Sequence, residues 1–223
     1  MTGMLASVNS LEEALTVAGA EVDIIDLKEP RAGALGALQV TLVKEIVLAL
    51  KGRCPVSATV GDLPMQPELV YSAAQVMADT GVDYVKIGIF PNGEITGVLE
   101  MLKTIALDKN LIAVLFADSR PDFQLIDSIK SANFCGVMLD TFDKSKGSLT
   151  SVMTLSEISA FVRYAKSHQL LCGLAGSLSA DDIPLLLPVE SDYLGFRGAL
   201  CEKHNRVERL SIHEVQRIRK QIP

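Results

Sequence analysis

Residues 21–37, EVDIIDLKEPRAGALGA, decide how the chain folds. The run Val22-Asp23-Ile24-Ile25 is short and apolar, carries Asp26 and Lys28 at its far end, and passes into a loop holding Pro30, Gly33 and Gly36. An apolar run of that length, bounded by Gly and Pro, reads as a buried strand. Side chains two apart share a strand face, so Asp26 and Lys28 point the same way. A lysine at the C-terminal end of a buried strand is costly unless its amine is paired, neutral or put to use.

The same alternation runs along the chain in both directions. Strand-like runs fall at 4–8, 22–28, 55–60, 83–89, 111–117, 136–139, 170–174 and 193–196. Helix-like segments follow at 10–19, 40–50, 68–79, to about 107, 121–131, 154–168, a short one from 179, and 211–220. Ser10 with Glu13, and Thr154 with Glu157, have the spacing of capping boxes. Residues 142–151, rich in Lys, Asp, Ser and Gly, read as a loop.

Eight strand–helix units without a compositional break predict an α/β chain with a parallel sheet, closed as one (β/α)8 TIM barrel over residues 1–223. At 223 residues the barrel is compact beside the usual length of about 250 and spares little chain for a lid. A doubly wound open sheet is the alternative, but no G-x-G-x-x-G follows the first strand.

Composition narrows the function. Hydrophobic residues make up 48%, enough for a large core, and aromatics only 5% with no Trp, so Val, Ile, Leu and Ala are expected to fill it. A net charge of −6 argues against nucleic acid and against a basic membrane-binding surface. The four cysteines are scattered without metal spacing and read as reduced, buried thiols. No basic leader and no apolar run of spanning length is visible, so a cytoplasmic protein is expected, with no membrane partner.

In a barrel enzyme the C-terminal strand ends carry the chemistry. Here they read Asp26/Lys28, Gly61/Asp62, Lys86/Gly88, Asp118, Asp140/Thr141, Gly176/Ser177 and Arg197/Gly198. Of the twelve lysines, only Lys28 and Lys86 lie within strand-like runs, on the second and fourth strands, which belong to one alternate set. Two close, partly buried amines lower each other's proton affinity, and a neutral lysine attacks carbonyl carbon. The plainer alternative pairs Lys28 with Asp26, or Lys86 with Asp140. Asp26, Asp118 and Asp140 are candidates for proton transfer. Asp62, in a Gly-Asp-Leu-Pro turn, reads rather as structural. The segments 174–177 and 195–199 follow strands seven and eight, where barrels commonly bind phosphate, and Arg197 is placed to neutralise it. Lys144 and Lys146 read as a solvated loop from which one can reach over the mouth. The three histidines read as surface residues, His204 being the doubtful one. With no H-x-H, no carboxylate cage and no nucleophile elbow, metal-hydrolase and Ser-His-Asp readings have little support.

These motifs together resemble one family. D-I-I-D-L-K-x-P-x-x-G-x-L-G-A at 23–37, S-A-T-V-G-D at 57–62, D-Y-V-K-I-G at 83–88, M-L-D-T at 138–141 with Lys144 three beyond the Thr, L-A-G-S at 174–177 and G-x-R-G-A-x-C at 195–201 are similar to the (5-formylfuran-3-yl)methyl phosphate synthases. The resemblance covers nearly the whole chain. It implies a barrel lyase condensing two molecules of glyceraldehyde 3-phosphate into a phosphorylated furan aldehyde, with loss of phosphate and water, for methanofuran-type C1 carriers. It implies Lys28 as the Schiff-base lysine beside Asp26, Lys86 and Asp140 as acid/base groups, and Lys144 as a further active-site lysine. On that mechanism an iminium on Lys28 gives an enamine that attacks the second aldehyde, and with the lysine as electron sink no metal or organic cofactor is expected. Gly176, Ser177, Arg197 and Gly198 are the expected phosphate site. Partners are then a small phosphorylated substrate and further copies of the chain in a homo-oligomer. The loops at 117–122 and 202–209 depart from the archaeal pattern, which leaves Asp118 and His204 unassigned and points to a bacterial branch.

Three rivals stand beside this reading: another class I aldolase, a non-catalytic sensor of a phosphorylated ligand, and an orotidine monophosphate-type decarboxylase. The last shares Asp-x-Lys but usually has an Asp three residues past the lysine, where Arg31 stands.

Overall fold

Strand β1 (Gly3–Val8) sits between β2 (Ile24–Leu27) and β8 (Tyr193–Phe196), and that second pairing closes the sheet. The computed structural model describes residues 1–223. Between those strands run β3 (Val56–Thr59), β4 (Tyr84–Ile89), β5 (Asn110–Phe116), β6 (Gly136–Asp140) and β7 (Leu171–Leu174), all parallel and in sequential order around the ring. The expected α/β barrel is therefore what forms.

The helices pack outside because each carries one apolar stripe. In α2 (Val40–Leu50) the stripe is Val43, Ile46 and Leu50, and Lys51 in the left-handed region ends the helix. Helices α1 (Leu11–Gly19), α3 (Pro67–Ala78), α4 (Ile95–Ile105) and α5 (Leu125–Ser131) follow the strands in turn. The stretch read as a loop at 142–151 contains a short helix, α6 (Leu149–Val152), with Leu149 buried. Four residues are too few to show a helical period. Helix α7 (Leu155–Ser167) opens with a reciprocal capping box between Thr154 and Glu157, as expected. At α1 only half of the expected box forms. Ser10 accepts from the Glu13 N–H, while the Glu13 carboxylate serves Asn9, Arg197 and Leu210. Short α8 (Ile183–Leu186) and terminal α9 (Ile212–Arg219) complete the ring.

Two cores result. The larger one lies between strands and helices and includes Ala6, Ile25, Ile46, Leu102 and Phe161. The smaller fills the barrel with Leu5, Ile112, Val114, Phe116, Met138 and Tyr193. Tyr193 reaches the interior because position 173 is glycine; a Cβ there would run into its ring.

At the N-terminal rim a single device recurs. The residue preceding an even-numbered strand is Asp23, Asp83 or Asp192, and its carboxylate accepts the N–H of Met4, Val56 or Cys172 at the start of the strand before, each at 2.7 Å. Strand pairs β1/β2, β3/β4 and β7/β8 are tied in this way.

Candidate active site

The opposite rim gathers the ionisable residues. Asp26 on β2 has no solvent exposure, and its flanking register partners are Ser7 on β1 and Ser57 on β3. Both hydroxyls donate to its carboxylate, at 2.8 and 2.7 Å. Lys86, inward on β4, completes the set with its Nζ 2.9 Å from Asp26 Oδ1. Burial pushes the Asp26 carboxyl up, but the ammonium groups of Lys86 and Lys28 and the donated hydrogen bonds outweigh it, holding the acid below its ordinary value.

Lys28, just beyond β2, turns instead to Asp140 at the end of β6, with Nζ 3.7 Å from Oδ2. The other carboxylate oxygen of Asp140 accepts from Lys144 at 2.6 Å and from the Thr141 N–H at 2.7 Å. Lys144 also donates to the carbonyl and hydroxyl of Thr141. The two strand lysines thus pair with carboxylates in the opposite sense to the one weighed from sequence: Lys86 with Asp26, and Lys28 with Asp140. Strand parity shows which face a side chain takes, not which partner across the barrel it reaches.

This arrangement sets Lys28 apart. Burial lowers its proton affinity, Asp140 and Asp26 raise it, Lys86 and Lys144 lower it again, and the amine settles at about 8. Asp140 is pushed up by burial yet held far below the carboxylate range by Lys144 and Lys28. An amine at about 8 is neutral often enough at physiological pH to act as a nucleophile. Asp140 and Lys144, in contact with each other, lie beside it as a carboxylate and an amine, groups able to exchange protons.

Lys28, Lys86, Asp140 and Lys144 open into a cavity of about 450 Å³ that also takes in Gly176, Ser177, Gly198 and Arg197. Gly176 and Ser177 both have positive φ, 113° and 49°. A Cβ on Gly176 would stand 2.8 Å from Thr141 Cγ2, so glycine is required there. The N–H groups of Gly176 and Ser177, in the cavity lining, donate to no protein acceptor, which leaves two donors in this concavity.

Arg197 does something other than what the sequence suggested. Its guanidinium pairs with Glu13 at 2.5 Å and donates to the carbonyls of Ser7, Arg206 and Glu208. Glu13 thus already neutralises its charge, and the side chain ties the loop after β8 to α1. Asp62 is structural, accepting the N–H groups of Ala34 and Leu35, and Asp118 likewise holds Phe142 and Asp143. Lys146 is half-exposed at 3.9 Å from Asp118. His204 is exposed, as expected of a surface residue, and also lines the cavity with Asn205 and Arg206. Sequence reading missed Ser7, Ser57 and Arg206. Ser7 carried a signal, a lone hydroxyl in an apolar strand, while Ser57 shares its strand with Thr59 and Arg206 carried none.

No helix is long and apolar enough to cross a membrane. Among solved structures, 3-hexulose-6-phosphate synthase matches with a TM-score of 0.69 at 16% identity, covering 100% of both chains. Phosphoribosyl anthranilate isomerase of Thermus thermophilus matches with a TM-score of 0.70 at 12% identity, over 100% of this chain and 98% of that one. At such identity these speak for the barrel alone. Sequence relatives are nearer. A Methylorubrum extorquens protein provisionally named (5-formylfuran-3-yl)methyl phosphate synthase is 40% identical over 207 residues, 93% of this chain and 86% of that one. The (5-formylfuran-3-yl)methyl phosphate synthase of Methanosarcina mazei is 33% identical over 89% of each chain. That of Methanocaldococcus jannaschii is 32% identical over 96% of this chain and 98% of its own. The family model for 4-HFC-P synthase matches residues 4–219, the eight-stranded barrel and its charged rim included, and the chain belongs to that family of enzymes.

Proposed function

We propose that the enzyme joins two molecules of glyceraldehyde 3-phosphate into (5-formylfuran-3-yl)methyl phosphate through a Schiff base on Lys28. The observation that carries this reading is the Lys28 amine, lowered to about 8 and facing the cavity beside the Asp140–Lys144 pair.

The product's skeleton dictates the order of events. Only one cut through its six carbons leaves two linear trioses, and it joins C3 of one to C2 of the other. If the formyl carbon is the aldehyde of the Lys28-bound triose, the C3 that forms the bond is the carbon that carried phosphate. Elimination of phosphate therefore precedes condensation. Lys28 Nζ adds to the aldehyde and water leaves, giving an iminium that acidifies C2. Asp140 takes the C2 proton and phosphate departs from C3, leaving a bound enol nucleophilic at C3. That carbon attacks C2 of the second triose phosphate, which presents a ketone there after Asp140 has passed its C2 proton to C1 and its C2 hydroxyl proton has moved to the C1 oxygen, an isomerisation without net oxidation. Lys144 protonates the new alkoxide. Ring closure by the second triose's C1 hydroxyl, dehydration and hydrolysis of the iminium release the product. Two trioses become one furan phosphate, one phosphate and two waters, with no net oxidation. Lys86, held by Asp26, sets its amine near the oxyanions that form. The Gly176–Ser177 concavity holds a phosphate. The product is the furan aldehyde of methanofuran-type C1 carriers.

Borohydride reduction of the enzyme with glyceraldehyde 3-phosphate, followed by peptide mass mapping, tests the assignment. A triose adduct on Lys28 and one phosphate released per furan are expected. Lys28→Arg is expected to show no adduct and no turnover while still binding inorganic phosphate. An adduct on Lys86, or condensation with both phosphates retained, overturns it.

A further inference from the structure

The loop after β8 crosses the cavity mouth. It is pinned at its ends by an antiparallel bridge between Cys201 and Leu210, and along its length by Arg197 donating to the carbonyls of Arg206 and Glu208. It carries Arg206 into the cavity lining. Every other lysine or arginine in that lining has a carboxylate within 4 Å: Lys28 and Lys144 share Asp140, Lys86 has Asp26, Arg197 has Glu13 and Arg217 has Glu214. Arg206 has none. One of its donors reaches the Gly33 carbonyl on the loop after β2 at 2.7 Å, while its Nε is buried with no hydrogen-bond partner. A guanidinium spends a desolvation cost to sit in this way, and a dianionic oxygen cluster is the ligand its planar fork fits.

Resting on the reaction proposed above, we propose that Arg206 binds the phosphate of the second triose phosphate, the one not bonded to Lys28. The reaction brings two dianions into one cavity. The Gly176–Ser177 concavity after β7 accommodates one. Arg206 is anchored on the far side of β8 and β1, at the β2 loop that follows Lys28, and offers the uncompensated charge a second phosphate requires. Arg197 is then a positioning residue, since it fixes the backbone that carries Arg206.

Arg206→Gln and Arg206→Lys test this against two readouts. The first is the glyceraldehyde 3-phosphate concentration giving half-maximal borohydride-trapped adduct on Lys28. The second is the KM for furan and phosphate formation. Losing a charge-assisted contact in the Gln variant is expected to raise the KM roughly 10- to 100-fold. Half-saturation of the trapped adduct should move less than about twofold, and the Lys variant should recover part of the loss. Parallel loss in both readouts overturns the proposal, because Arg206 then serves the first phosphate or only holds the loop. An unchanged KM overturns it as well. Should the unsubstituted enzyme form no Lys28 adduct and release no phosphate, the Schiff-base reading fails and takes this one with it. Normal adduct and turnover with an indifferent Arg206→Gln would sink this inference alone. Equal thermal midpoints for Arg206→Lys and the parent enzyme exclude misfolding as the cause.

Discussion

Replacing Asp140 by Asn should make Lys28 a better nucleophile and the enzyme a worse catalyst. The amide keeps a carbonyl oxygen to accept the Thr141 N–H but removes the negative charge 3.7 Å from Lys28 Nζ. At an effective dielectric constant of about 20, a unit charge at that distance is worth roughly 4.5 kcal/mol, or about three pH units of proton affinity. Water entering through the open mouth weakens the coupling. Lys144, whose repulsion already lowers Lys28 in the parent, stays tied to Thr141 and keeps acting in the same sense. The Lys28 midpoint, about 8 in the parent enzyme, is expected to fall to between about 5 and 7. Trace acetylation with acetic anhydride across this pH range, with Lys28 occupancy read by peptide mass spectrometry, gives the midpoint directly. Turnover should fall about 100- to 10,000-fold as the proton acceptor is lost. A midpoint at or above 8 in the Asn variant would refute the electrostatic account of this site.

The free enzyme's kcat/KM should rise with pH through a midpoint near 8 and level off above about 9, because only neutral Lys28 attacks. At pH 7 about one amine in ten is neutral, against roughly one in three thousand for an ordinary lysine. A profile flat between pH 6 and 9 would contradict this. Lys86→Met leaves the fully buried Asp26 with only two hydroxyl donors and should cost about 3–5 kcal/mol in urea unfolding. The double variant with Asp26→Asn should recover most of that, since no charge is then stranded. Asp26 titrates below its ordinary value in the fold, so its ionised form contributes stability at neutral pH that disappears on acidification. That acid-sensitive component should be missing from the double variant's stability curve.

Much of this was legible beforehand because alternation and punctuation are local properties. The bounds read for α2 and β8 match those formed, and Lys28 and Lys86 stood out because an ammonium in an apolar strand demands an explanation. What escaped the sequence depends on distant contacts. Arg197 sits beside a glycine after the eighth strand, as an anion ligand should, but Glu13 from the first helix claims it. Arg206 lies in an aperiodic loop, and nothing near it in the chain reveals that it ends up without a carboxylate and with its Nε unpaired. The choice of carboxylate for each lysine rests on reach across the barrel, which parity does not encode.

The three aspartate ties at the N-terminal rim lie at the opposite end of the barrel from the lysines. Ruggedness and reactivity are therefore written at opposite ends of the same strands, Asp23 below Lys28 and Asp83 below Lys86. Selection for a hotter or colder habitat can act on Asp23, Asp83 and Asp192 without disturbing the electrostatic poise of Lys28. New substrates can in turn be explored through the loops at the mouth while the seams below hold the staves together.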